Sequence, residues 1–493
     1  MRNSLYTMAT TVLTAGLGYI FWIVSAHVFT SSQVGIGSAV ISACSTVALL
    51  TYLGSWAMLI ERLHVHERSR EWTALLVRMC VATATVTAVV AAVTIPFLAH
   101  SKNYGSFFNA IPAVIIAIVG SVAWTLVNLF SAAFISARRA DRYLSIQVLV
   151  SVVKVLVVVP IAAAGLGAVG IVWAWVGSSI FGVVVGALWL LPRLRLGGRP
   201  RGLTSHRKIP LGNRKTGTEV RLRAGHSTSI DHREASGADP RMERIDSYPR
   251  SSYASECRQP VHLGEDREAE YPVEYRKRTY RSARPRQPFR PDISYMRRLV
   301  GHHITSVGGA ATPLILPIVV VLRLGVTLNA YFYITWLIGG VFFMVSPSIS
   351  NAVFAEIIRS KSNPRIVVMK AFRVTSLVLI PAMLIMIAGG KLILGIFGAP
   401  YASAGYGLLV ILAISAVPDA VSNIAVAVFR VTNRIKYAAT LNIGILLTTI
   451  VGSWFLMPSF GIVGVGLAWI GAQLLGAIAS IPAYVNLDRR ATR

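Results

Sequence analysis

The chain has 493 residues, 54% of them hydrophobic and only 14% charged, with a formal net charge of +28. Its mean hydropathy is +0.61, whereas a soluble domain carries about 25% charged residues, so a soluble enzyme or binding module is excluded. Nucleic acid is not an expected partner, because no recognition motif accompanies the positive charge. That charge lies in loops and one hydrophilic block, where it orients a membrane protein. Cys44, Cys80 and Cys257 imply no disulfide framework.

One basic residue, Arg2, precedes an apolar run over 4–29. The run is too long for a signal-peptide core and reads as a retained first membrane helix. Further spans are predicted at 34–60, 73–98, 108–136, 143–166 and 170–191. After a polar block come 299–322, 328–355, 371–396, 405–429, 437–458 and 461–487. Each is near or above the roughly 20 residues that cross the hydrocarbon, and helices satisfy the backbone within the segment. Prolines at Pro112, Pro160, Pro313, Pro317, Pro347, Pro381 and Pro418 are either hinges or kinks re-satisfied by neighbouring helices.

The connections alternate in charge. Arg62, Arg68 and Arg70 follow the second span, and Arg138, Arg139 and Arg142 the fourth. Arg359, Lys361 and Arg365 follow the eighth, and Arg430, Arg434 and Lys436 the tenth. The links at 30–33, 167–169, 325–327 and 397–404 carry no charge, and 100–105 only Lys102. The positive-inside rule places the arginine-rich connections, both termini and the central block in the cytoplasm. The organisation expected is an N-terminal six-helix lobe (1–192), a polar insertion (193–297), a C-terminal six-helix lobe (298–487) and a short tail (488–493). The insertion holds about half of the 48 Lys and Arg, mixed with acids, a composition that stays disordered and attracts anionic lipid.

The halves repeat. GAVGIVWAWVG at 167–177 matches GIVGVGLAWIG at 461–471, 294 residues apart, and the same offset pairs Arg142-Tyr143 with Lys436-Tyr437. An offset of 295 pairs Arg78 with Arg373. Six helices per repeat bring both halves into the membrane from one side, related by an axis along its normal, with a cavity between them.

Four stretches, in order, resemble a known family: SLYTMATTVLTAGLGYIFWIVSAHVFTSSQVGIGSA at 4–39, NAYFYITWLIGG at 329–340 with SISNAVFAE at 348–356, ILGIFGAPYASAGYGLLVILA at 393–413, and the repeat motif at 461. The chain resembles the polysaccharide flippases of the multidrug/oligosaccharidyl-lipid/polysaccharide exporter superfamily, everywhere except the polar block. The resemblance implies an all-α, MATE-like two-lobe transporter that moves undecaprenyl-pyrophosphate-linked oligosaccharide across the bacterial plasma membrane. It also implies work beside a glycan polymerase and glycosyltransferases. No cofactor, metal or enzymatic activity is expected.

Ionisable groups inside helices are the candidate functional residues. Arg323 ends the seventh span on the charge-poor side, where it holds pyrophosphate or reaches outer headgroups. Lys154 lies eleven residues from the arginine-rich end of the fifth span, roughly 16 Å deep, either in the cavity or snorkelling. Arg78 and Arg373 lie nearer that end, and contact with inner headgroups competes with a cavity role. His302 and His303 open the seventh span; adjacent residues point to different faces and make a poor chelating pair. Asp419 is the one acid well inside a span, a candidate for proton or ion coupling or a bond to a neighbouring helix. Asn128 and Gln473 read as interhelical bonds. Tyr19, Phe21, Trp22, Tyr331, Phe332 and Trp336 read as sugar platforms or packing.

Two rivals differ in chemistry. A cation-coupled drug exporter of the same superfamily would carry an acid in its first helix, and 4–29 has none. A glycan-assembling membrane enzyme would need a sizeable outer loop with acids, and the outer links are short.

Overall fold

The computed structural model describes residues 2–63, 70–101, 104, 111–137, 139–196, 303–359, 364–432 and 434–485. The insertion expected at 193–297, apart from the end of the sixth helix, and the 488–493 tail lie outside the described residues. All regular structure described is helical. In chain order come α1 (Arg2–Val28), α2 (Ser31–Leu63), α3 (Arg70–Ala99), α4 (Ile111–Ser136), α5 (Ala140–Ala163) and α6 (Gly167–Leu196). Then follow a bent α7 (His303–Ala310 with Thr312–Leu324), α8 (Val326–Arg359), α9 (Pro364–Gly395), α10 (Ala399–Val431), α11 (Ile435–Phe460), α12 (Ile462–Ala479) and a short α13 (Ile481–Val485). Eleven are long and apolar enough to cross a membrane, or twelve with the bent pair as one span.

Several boundaries depart from the sequence reading for local reasons. The link expected at 397–404 is mostly helix: Gly398 turns at φ +123°, and Pro400 sits in the first turn of α10, where its missing N–H costs nothing. The last span, Ile462–Val485, is interrupted at Ser480, where α12 ends and α13 begins. The seventh bends by 49° at Ala311, next to Pro313, which offers no N–H to continue the ladder.

The repeat has a structural counterpart. Gly167 and Gly461 both adopt left-handed backbone, φ +53° and +56°, which suits glycine. Three residues on, a Cβ on Gly170 would lie 2.5 Å from Ile161 and one on Gly464 2.7 Å from the Leu456 backbone. The shared motif is therefore a turn that folds α6 onto α5 and α12 onto α11. At the start of these hairpins the register is 295: Arg139 and Arg434 are the equivalent N-caps (φ −106° and −99°). Their N–H groups bond Phe134 and Phe429 carbonyls at 2.9 and 2.7 Å. The pairing of Arg142-Tyr143 with Lys436-Tyr437 is thus off by one residue at this end of the hairpins.

The buried side chains divide unevenly between the ends. At the charge-poor ends one continuous cluster joins both halves, from Phe21, Trp22 and Val34 to Ile334, Phe397 and Tyr401. At the arginine-rich ends each half has its own cluster: Leu59, Leu76 and Phe134 in one, Val353, Ala371 and Phe429 in the other. The halves are sealed together at one end and separately packed at the other.

Candidate functional site

The sealed end depends on close approach of α2 and α8. Gly35 lies so near the Val326 carbonyl that a Cβ there would collide with it. Asn329, fully buried, donates its side-chain amide to the Gly35 carbonyl at 2.7 Å and reaches Ser38 Oγ at 3.1 Å. Apolar burial adds little between helices in lipid, so small residues and interhelical hydrogen bonds hold such a seam.

Deeper, α1 meets α8. Tyr19 donates its hydroxyl to the Leu337 carbonyl at 2.9 Å, and the Trp22 and Tyr333 rings lie 4.7 Å apart. Phe21 packs edge-on to Trp22 at 5.0 Å, and the Lys154 ammonium sits over Phe21 at 4.9 Å. Ile146, Val150 and Val158 are buried on α5, and four-residue spacing puts Lys154 on that same inward stripe. A lysine is thereby held beside the aromatic joint between the halves, where a desolvated cation attracts an anion strongly.

The structure does not gather the other cations around Lys154. Arg323 continues the α7 stripe that packs on the last six helices and lies over Trp454 of α11 at 5.0 Å. Arg78 and Arg373 are exposed, and helical periodicity sets them on the faces of Val81 and Val89, and of Leu377 and Leu384, all exposed apolar side chains. His303 opens α7 with a buried Nδ1 that has no partner among the described residues; His302 lies outside them. Phe332 and Trp336 pack inward, Trp336 against Trp469 at 5.3 Å.

Asp419 occupies a second polar location, inside the last six helices. It is 4% exposed and borders a cavity of about 50 Å³ with Gly308, Gly309, Thr312, Asn442 and Trp469. Gln473 donates to Asp419 Oδ1 at 3.2 Å. Asp419 Oδ2, Gln473 Oε1 and Trp469 Nε1 have no partner among the described residues. The cavity lies under the bend of α7, where Gly308 and Gly309 admit Asn442 and Asn442 donates to the Thr305 carbonyl at 3.0 Å. A carboxylate buried there must take a proton or face a cation, and broken membrane helices commonly supply carbonyls to such cations.

Asn329, Gly35 and Tyr333 were not legible as site residues. Asn329 was readable as a polar residue in a span; that it bonds across the halves follows only from the packing.

Comparison with known proteins agrees with this architecture. Residues 1–209 match the family model described as "Polysaccharide biosynthesis protein". No curated protein matches significantly in sequence. An inward-facing multidrug resistance MATE transporter of the MOP superfamily superposes with a TM-score of 0.60 at 13% identity, over 97% of this chain and 94% of that one. The lipid II flippase MurJ, in an inward closed conformation, superposes at 0.58 and 9% identity, over 99% and 90%. A MATE in the straight conformation gives 0.52 at 13% identity, over 100% and 95%. The chain has a MATE-like fold. In that fold the seam of Asn329 and Tyr19 is the joint between two lobes, and Lys154 lies at its edge.

Proposed function

We propose that this protein flips an undecaprenyl-pyrophosphate-linked oligosaccharide across the plasma membrane for cell-surface polysaccharide assembly, by alternating access between its two lobes. The observation that carries the reading is Lys154, an inward-facing cation beside the joint between the halves. It suits a pyrophosphate head whose lipid tail stays in the hydrocarbon. The sealed charge-poor end and separately packed arginine-rich end suit a cavity open to the cytoplasm, with termini and insertion on that side. The family match over 1–209 supports a glycan-pathway substrate, and the 193–297 insertion serves as a tether or docking segment for glycan-assembling partners.

Asp419 favours a coupled mechanism: taking up and releasing a proton or monovalent cation under the α7 bend would bias the lobes between states. The same buried acid suits the second reading, a cation-coupled small-molecule exporter. Deletion of the gene separates the two. A flippase leaves lipid-linked oligosaccharide accumulating in the inner leaflet; an exporter leaves that pool unchanged and raises sensitivity to toxic compounds.

A further inference from the structure

A groove of about 270 Å³ runs between α11 and α12, bordered by Tyr437, Leu441, Gly444, Thr448, Leu475 and Gly476. From Tyr437 to Thr448 it extends about 16 Å along α11. It is open because Gly444 has no side chain: a Cβ there would meet no atom within 4 Å. Its end toward the arginine-rich side is marked by Arg434, whose guanidinium lies 5.8 Å over the Tyr437 ring.

The first half of the chain supplies an internal comparison. In the 295 register, Leu149 stands where Gly444 does, so the equivalent position carries a side chain. Arg139, the counterpart of Arg434, is paired with Asp141 at 3.3 Å. Arg142, the counterpart of Tyr437, donates to the Trp189 carbonyl at 2.8 Å. The counterpart of Asp141 is Lys436, so the second half has two cations where the first has an ion pair. Among the described residues neither Arg434 nor Lys436 has an acidic partner. The first half has a leucine side chain and an ion pair where the second has an open glycine and two cations.

We infer that the groove between α11 and α12 is a binding site for one anionic phospholipid, its acyl chain along Gly444 and its phosphate at Arg434 and Lys436. An apolar groove ending in two cations at the membrane surface matches that amphiphile.

Native mass spectrometry of the purified full-length protein, titrated with phosphatidylglycerol or phosphatidylcholine, tests this. The wild-type protein should hold one phosphatidylglycerol at least roughly tenfold more tightly than phosphatidylcholine, as two basic groups near the surface supply. Gly444→Leu should remove that bound lipid while leaving every charge in place, including those of the 193–297 block. Thr448→Phe, filling the groove from an exposed position, should do the same if Gly444→Leu does not fold. Arg434→Gln with Lys436→Gln should abolish the preference between the two lipids. Undiminished phosphatidylglycerol binding in folded groove-filling variants would overturn the site. Tighter binding of undecaprenyl phosphate than of phosphatidylglycerol would overturn it too, by assigning the groove to the transported lipid.

Discussion

Asn329 of α8 and Gly35 of α2 are joined by a 2.7 Å hydrogen bond from side-chain amide to main-chain carbonyl, where the two halves approach closely. This bond and the one to Ser38 Oγ close the charge-poor end, so they must break when that end opens. Each is worth about 1 kcal/mol between membrane helices. Asn329→Ala should shift the balance toward the state open at the charge-poor end by roughly tenfold. Spin labels at Ser31 and Thr327, with native cysteines replaced, would report it as a growing long-distance population. An unchanged distribution would remove Asn329 from the gate.

Gly35→Ala tests the same seam sterically. A methyl group at Gly35 meets the Val326 carbonyl, so the helices cannot keep their separation. The variant should insert normally but sample the sealed state less, and should lose more than half of its transport. The same spin-label pair measures the first effect; wild-type behaviour in both assays would contradict the close approach.

Lys154 and Arg323 should separate under substitution. Lys154 lies over Phe21 beside the joint, whereas Arg323 stacks on Trp454 of α11. Lys154→Gln should lower transport at least tenfold at normal abundance, with Lys154→Arg restoring part of it. Arg323→Gln should have the smaller effect. Stability should change by no more than about 2 kcal/mol, the contribution of a desolvated cation over one ring. Equal transport by Lys154→Gln and wild type would refute the assignment.

Asp419→Asn keeps the shape of the side chain and an acceptor for Gln473 while removing the charge. Transport in vesicles should lose its response to an imposed proton or sodium gradient. Retention of that response would place the coupling elsewhere.

Much of the architecture was legible because it is written in patterns longer than any one residue. Hydropathy gave the spans, alternating arginines gave the ends, and the 167 and 461 motifs gave the repeat, whose matching glycine turns the structure shows. What stayed hidden depends on which face of a helix meets which neighbour. Arg78 and Arg373 are equivalent by sequence, yet their exposed apolar surroundings appear only once α3 and α9 are packed. Lys154 and Arg323 read alike as intramembrane cations, and only tertiary contacts separate them. The cavity at Asp419 is assembled from α7, α10, α11 and α12, so no local spacing could announce it.

The central claim is tested most directly with purified protein in liposomes carrying undecaprenyl-pyrophosphate-linked oligosaccharide, following how fast the glycan becomes accessible to a hydrolase confined to one side. The account predicts that wild-type protein speeds exposure at least tenfold over empty liposomes and that Lys154→Gln abolishes the gain. Exposure no faster than in empty liposomes, from protein that moves a cationic dye under the same gradient, would contradict it.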